Sequence, residues 1–385
     1  MNGTGAVDVA VVGLGFGEDF LPLYAAHPSV GEVGIVDQSR ERLTEVGDRH
    51  GIAERFTDIA DVLADERWDA VHILAPVAFH SSYALAVLGA GKHCACAVPM
   101  ATDVADLHAI VAAQRESGKN YMMMETAVYG REYLVAEEMY RKGELGGLTF
   151  YRGYHIQNLD GYPEYWRGYP PMKYITHALA PILALTGSTV ADVTAYGSSK
   201  LTADRVGSYD NPFPLQVGLF RLVDSDVVAD VTMSFFQTAR SYVEGFSVYG
   251  DRRSLEWSGA PGEAMRLFEL RPAGPAESPK GSRGRHARES VLEPPDYAHR
   301  LPEQLARFVR TYTLESHDGG PATTKTAGHG GSHPYLVHEF ISSIVETRPP
   351  AIDAVTSAAW TAPGIVAHES ALRGGERLTV PSFDG

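Results

Sequence analysis

The sequence predicts an α/β chain in two parts: a doubly wound parallel sheet first, then a domain built on a mostly antiparallel sheet. Three observations carry this reading. A glycine-rich turn separates an apolar run from a helical stretch, short apolar runs alternate with helical stretches over residues 1–125, and from residue 149 strand-like runs follow one another without regular helices between them. The chain has 385 residues, 44% hydrophobic and 21% charged, enough for two domains with packed cores, and this excludes an intrinsically disordered protein. The boundary falls after residue 125, so the domains are 1–125 and 126–385.

Taken in order, residues 7–12 form an apolar run broken by Asp8, followed at once by Gly13-Leu14-Gly15-Phe16-Gly17. The order strand, glycine turn, helix is that of a nucleotide-binding unit, with a simple glycine-rich turn as the alternative. A second run, residues 33–36, ends in Asp37. Residues 70–74 give a third strand, then Ala75-Pro76, a helix over 80–89 and a short strand over 93–98. A helix over 131–142 ends at Gly143, a residue that takes the left-handed conformation at helix ends without penalty. Strands follow at 150–155, 190–196, 216–222, 227–236 and 241–249. Proline, glycine and charge are frequent between residues 259 and 331, which predicts an irregular excursion around the sheet with one amphipathic helix at 303–312. Helices over 334–346 and 357–372 close the chain.

Composition excludes several classes of function. Lysine and arginine total 33 against 48 acids, a net charge of -15, and the compact basic stretch is confined to residues 280–288. A nucleic-acid or anionic-membrane partner is not expected of such a balance. Cys94 and Cys96 are too close in sequence to staple a fold and too few to hold zinc, so both are expected to be reduced and structural. No run reaches the roughly 18 apolar residues of a membrane span, and residues 1–8 lack a signal-peptide pattern, so the expected compartment is the cytoplasm.

In the glycine turn the third glycine of G-x-G-x-x-G is replaced by Glu18, with Gly17 one place early. Asp37, 24 positions after Gly13, suits the end of the second strand, where an acid accepts hydrogen bonds from both ribose hydroxyls and repels a 2'-phosphate. Together these favour NAD over NADP. The alternative for Asp37 is an N-cap of the helix over 39–48.

From residue 9 to about 187, and again over 328–383, the sequence resembles the Gfo/Idh/MocA sugar-oxidoreductase family. The resemblance rests on Gly13-Leu14-Gly15, Asp37, Leu74-Ala75-Pro76 with His80, Gly91-Lys92-His93, Val98-Pro99, Trp166-Arg167 and the segment around His177. It implies an N-terminal Rossmann domain, a C-terminal α+β domain whose large open sheet buries a face in homodimers or homotetramers, and NAD-linked sugar chemistry. Dehydrogenases of the family carry Glu-Lys-Pro where this chain reads Ala97-Val98-Pro99, and valine cannot move a proton. Their Asp-x-Gly-x-His-x-x-Asp element reads Lys173-Tyr174-Ile175-Thr176-His177-Ala178-Leu179-Ala180 here, without either acid.

The sequence is more similar to the NAD-dependent glycosidases, of which the α-N-acetylgalactosaminidases are the familiar members. Those also carry valine beside that proline, and their Tyr-Pro-Thr-His-Gly-x-Gly-Pro matches Tyr174-Ile175-Thr176-His177 through Pro181. Met123-Met124-Glu125, Tyr129-Gly130-Arg131, Trp166-Arg167 and His329-Gly330-Gly331 agree too, whereas Thr126 replaces an asparagine. The resemblance implies a glycoside cut by transient oxidation at C3, elimination across C1 and C2, water addition and re-reduction, with NAD tightly bound and recycled. By the same resemblance Tyr174 is the C2 base, His177 the partner of the C3 oxygen, and Lys173 or Arg167 the cation that lowers the phenol pKa.

Cofactor contacts are expected from Gly13, Leu14, Gly15, Phe16, Asp37, Ala75, Pro76, His80, Val98, Glu125, Trp166 and Arg167, with helix capping the alternative for Glu125. Sugar contacts are expected from Tyr154, His155, Arg167, Tyr174, His177 and His329, the last either a substrate contact, a proton donor or a loop residue. His329 and His333 lack a third ligand, and no metal is expected. Arg131, Arg152, Arg167 and Lys173 raise an anionic sugar such as a sulfoquinovoside as a candidate. Two rival readings stand: an NAD-dependent sugar dehydrogenase in which Lys173 or His177 replaces the lost lysine, and a non-catalytic NAD- and sugar-binding sensor.

Overall fold

The computed structural model describes residues 5–257, 263–271 and 287–383. β1 (Val7–Val12) is buried at every position, as a strand covered on both faces must be. With β2 (Val30–Val36), β3 (Arg55–Phe56), β4 (Ala70–Ile73), β5 (His93–Cys96) and β6 (Tyr121–Met123) it forms a six-stranded sheet in the order β3-β2-β1-β4-β5-β6. Every neighbouring pair is parallel. Strand order reverses between β1 and β4, and the crevice at the carboxyl ends of such strands is where a doubly wound sheet holds its ligand. Crossover helices Arg40–His50 and Val104–Ser117 start where Ser39 and Asp103 accept hydrogen bonds from the amides of Arg42 and Ala105, and both end on left-handed glycines, Gly51 and Gly118. Cys94 and Cys96 are buried free thiols on β5.

A second sheet follows: β7 (Leu148–Ile156), β8 (Val190–Ser198), β9 (Leu215–Leu222), β10 (Val228–Ser234), β11 (Val243–Gly250), β12 (Arg253–Glu256), β13 (Met265–Leu270) and β14 (Ala287–Leu292). After the short ribbon of β15 (Tyr312–Leu314) and β16 (Thr323–Lys325), β17 (Leu378–Thr379) completes nine strands in the order β14-β13-β12-β11-β7-β10-β9-β8-β17. β7 and β10 run parallel, the other neighbours antiparallel. The helix Thr176–Thr186 lies on this sheet against β7, β10 and β11. Its approach is set by Gly153, where an added Cβ would stand 1.9 Å from the Ala178 carbonyl oxygen. Beside that contact the Tyr151 hydroxyl donates to the same carbonyl at 2.7 Å. Only a residue without a side chain lets helix and strand come this close.

The chain divides into two compact units, Met1–Gly130 with Asp296–Ile365 and Pro381–Gly385, and Arg131–Pro295 with Val366–Val380. The linear boundary expected after residue 125 is therefore corrected, since Asp296–Ile365 returns to the first unit. Long-range polar contacts hold it there: the Met123 amide donates to the Ile352 carbonyl at 3.2 Å, and the Asn120 side chain donates to Ser343 Oγ and the Arg348 carbonyl, each at 2.9 Å. Such pairings leave no trace in the order of the chain.

The expected excursion over 259–331 also proves more ordered, with β13 and β14 extending the sheet. Cross-strand ion pairs such as Arg253–Glu269 and Arg266–Glu289 replace the apolar alternation that marks a half-buried strand. The helix expected over 303–312 breaks into Glu303–Ala306 and a tighter turn at Arg307–Val309. Of the basic stretch, residues 280–286 lie outside the described residues, and Arg288 lies on β14. No helix among the described residues is long and apolar enough to cross a membrane.

Candidate active site

In the first unit, Gly13 has φ +91°, and a Cβ there would stand 2.7 Å from the Leu74 carbonyl oxygen and 2.8 Å from the Ala75 nitrogen. The turn after β1 thus abuts the turn after β4 at the switch point, backbone against backbone. Gly17 supplies the close helix-to-strand packing usually given by the third glycine, since a Cβ would meet Val11 Cγ1 at 3.0 Å and Leu74 Cδ1 at 3.3 Å. Glu18 instead faces Arg49 Nη1 at 2.6 Å and His50 Nε2 at 3.0 Å. The His50 bond above all, then the arginine, holds its carboxyl at about 2 against the burial that opposes them.

Asp37 Oδ2 accepts the Leu14 amide at 3.0 Å and Oδ1 the Ser39 amide at 2.9 Å. The helix N-cap is Ser39, so Asp37 pins the glycine turn to the end of β2. A carboxylate offers about four acceptor positions, so these two amides leave room for ribose hydroxyls. The backbone cradle at Gly13, the acid at Asp37 and the small pair Ala75-Pro76 fit the adenosine and pyrophosphate of a dinucleotide. Phe16 is partly exposed, with its ring edge-on to His329 at 5.8 Å and His333 at 5.6 Å.

Several expected contacts in this unit have other employment. His80 is buried, with Nδ1 2.8 Å from the Pro99 carbonyl and Nε2 2.9 Å from that of Ala75, so it braces two turns. Glu125 is buried and caps the turn Thr126–Val128 by accepting the Ala127 amide at 2.8 Å. Val98 is buried and offers no proton-transferring group. His329, at φ +44°, has Nδ1 3.0 Å from Nε2 of His333, and burial holds His333 far below the usual histidine range. His329 belongs to the first unit, and His155 and His177 to the second.

That cluster occupies the second unit. Tyr174 ends the short turn Pro171–Tyr174 and His177 lies in the first turn of the helix Thr176–Thr186, with ring centroids 5.2 Å apart. His155 on β7 packs against Tyr174 at 5.9 Å, His177 at 5.4 Å, Phe235 at 5.5 Å and Tyr242 at 5.2 Å. Trp166 meets Tyr174 edge-on at 5.4 Å, so it lines this cluster. Glu244 stands opposite His155 across the β7–β11 pair, its Oε2 4.0 Å from Nδ1 of His155 and 3.7 Å from Nδ1 of His177. Both histidines are buried and the Glu244 side chain is 10% exposed. No motif could have announced Glu244 or Tyr242, because strand register alone brings them to His155.

Tyr154 is corrected. Side chains alternate along a strand, so Tyr154 lies on the opposite face from His155, and its hydroxyl donates to the Trp257 carbonyl at 3.3 Å. Arg167 is exposed, donating to the Val206 carbonyl at 3.0 Å and Glu164 Oε1 at 2.8 Å. Lys173 is half-buried beside Tyr174, and its charge adds to the burial that holds His368 at about 4.

The glycine cradle at the switch point and the acid ending β2 define a dinucleotide-binding Rossmann fold. Residues 7–125 match the family model described as oxidoreductase family, NAD-binding Rossmann fold. The whole chain is similar to a glycosyl hydrolase family 109 protein of Streptomyces coelicolor, 25% identical over 98% of this chain and 83% of the other. A protein of the same description from Saccharopolyspora erythraea is 24% identical with the same coverage. Among solved structures, levoglucosan dehydrogenase in complex with NADH and levoglucosan superposes with a TM-score of 0.75 at 18% identity, covering 98% of this chain and all of the other. The aldose-aldose oxidoreductase of Caulobacter crescentus complexed with glycerol gives 0.67 at 19% identity, covering 97% and 100%. These likenesses establish the fold.

Proposed function

We propose that the protein is an NAD-dependent glycosidase that cuts a small glycoside by oxidation, elimination, hydration and re-reduction without net redox change. The observation that carries this is the pairing of Tyr174 with His177 in the second unit, while Val98 stands where a dehydrogenase lysine would be. The names of the full-length relatives support the same reading. NAD would be held by the Gly13 turn, Asp37 and Ala75-Pro76, and when bound it supplies an acceptor and donor of hydride at C3 of the sugar.

The chain's own residues handle the protons. Tyr174 takes the C2 proton, made acidic by the neighbouring ketone, as the C1–oxygen bond breaks and the aglycone leaves. Lys173 next to it favours the phenolate. His177 holds the C3 oxygen and its proton, with Glu244 at 3.7 Å to stabilise an imidazolium. Trp166, Tyr242 and Phe235 give aromatic walls against which a sugar face packs. Among the cations that suggested an anionic sugar, Arg131 is engaged by Glu132, Arg152 by Asp230 and Arg167 by Glu164. This favours a neutral glycoside over a sulfoquinovoside.

The His177–Glu244 pair also favours a second reading, a sugar dehydrogenase with His177 as its base. Turnover of nitrophenyl glycosides in deuterated water separates the two. Deuterium at C2 of the released sugar with no NADH build-up is expected. NADH accumulating in step with product, without C2 deuterium, overturns the glycosidase in favour of the dehydrogenase. Bound NAD with no exchange of substrate hydrogen leaves only a sensor.

A further inference from the structure

His155, His177 and Glu244 each present one ligand atom, and these atoms lie within 4.8 Å of one another. They come from β7, the first turn of the helix Thr176–Thr186 and β11, three elements locked by the Gly153 crossing and by the direct β7–β11 register. The two Nδ1-to-Oε2 separations, 3.7 and 4.0 Å, exceed a hydrogen bond. Two donors on a tetrahedral ion with bonds of about 2.0–2.2 Å stand roughly 3.4 Å apart. Two of the three pairs are within about 0.6 Å of that spacing, and since all three atoms lie within 4.8 Å of one another, the widest pair has at most about 1.4 Å to close, a shift on the scale of a side-chain rotation.

We propose that His155, His177 and Glu244 form a binding site for a divalent first-row transition metal, zinc or one of its neighbours. Two imidazoles and one carboxylate are a donor set that such ions prefer over magnesium or calcium, which select oxygen. Three protein ligands leave at least one coordination position for substrate, the mark of a catalytic rather than a structural site. The rings of Tyr242, Phe235 and Tyr174 pack around His155 and hold its imidazole in place.

Resting on the glycosidase reading, the open position takes the C3 oxygen of the sugar. A hydroxyl bound to such an ion loses its proton near neutrality, which supplies the function that the valine at position 98 cannot. The metal then holds the resulting ketone oxygen, making the C2 proton easier for Tyr174 to remove. His177 acts as a ligand in this arrangement, and the proton from the C3 hydroxyl leaves to solvent.

The test uses the full chain, stripped with a chelator and titrated with Co2+ alone. One equivalent with the visible d–d absorption of a low-coordinate site is expected, displaced by Zn2+. Glu244→Gln is expected to weaken binding by about a hundredfold, while Glu244→Asp, which keeps the carboxylate, retains the spectrum. Circular dichroism identifies any variant that fails to fold. His155→Asn serves as a second ligand variant and is expected to lose the spectrum too. Absence of a one-equivalent spectrum in the wild type, or an unchanged spectrum in both folded Glu244→Gln and His155→Asn, overturns the site. Turnover that survives chelation in protein free of metal overturns the site and leaves the glycosidase standing. Stoichiometric metal with no glycoside turned over overturns the glycosidase and leaves the site.

Discussion

The chemistry proposed for the second unit rests on Tyr174, and the geometry of the glycine turn in the first rests on Gly13. The Tyr174 phenol sits among His155, His177 and Trp166. Removing its hydroxyl leaves those ring contacts in place, so Tyr174→Phe is expected to lower kcat by about 10²–10⁴-fold and abolish C2 deuteration, with circular dichroism showing that the variant is folded. At Gly13 the opposite holds, because the left-handed φ and the Leu74 carbonyl at 2.7 Å leave no room for a methyl group. Gly13→Ala should cost about 1–3 kcal/mol of stability and remove NAD binding, read by denaturant unfolding and fluorescence titration. The glycine turn at Gly13 and the closeness of Tyr174 to His177 were legible in the sequence, one from its glycines and one from its spacing. Glu244 was not, because a lone acid in a strand looks like any solvated residue until its register is known.

Among elements, the seam joining the glycine-turn helix to the helix Arg40–His50 is electrostatic. Glu18 reaches both Arg49 and His50 across it. Its folded pKa of about 2 lies below the ordinary 4.5, so its contribution is fully present above pH 4.5 and lost as pH falls toward 2. Allowing for solvent screening, this amounts to about 1–2 kcal/mol. Urea unfolding from pH 6 to pH 2.5 should show that loss, and Glu18→Gln should flatten it. Strand and helix identities were readable wherever apolar spacing was strong: β1 and the helix His80–Gly89 fall where the pattern places them. The strands β12 to β14 escaped because charged cross-strand pairs took the place of apolar alternation.

At the scale of the whole chain, Tyr196 on β8 and Leu219 on β9 are 59% and 52% exposed on the face away from Phe220 and Val193. Large apolar groups left open on a sheet face call for a cover, and we propose that the dimer or tetramer expected from the sequence forms there. Leu219→Asp is then expected to lower the mass seen by light scattering without changing the circular dichroism. An unchanged mass would place the interface elsewhere or remove it.

Local pattern was enough for the nucleotide fold, because a glycine turn, an acid after β2 and alternating apolar runs are properties of neighbouring residues. It was also enough to pair Tyr174 with His177, three positions apart at the start of a helix. The return of Asp296–Ile365 to the first unit, the seating of the Tyr154 hydroxyl on the Trp257 carbonyl, and the meeting of His155, His177 and Glu244 required tertiary structure. Each depends on strand register, sheet face or contacts between distant segments, and those are set by packing energies that no stretch of sequence contains alone.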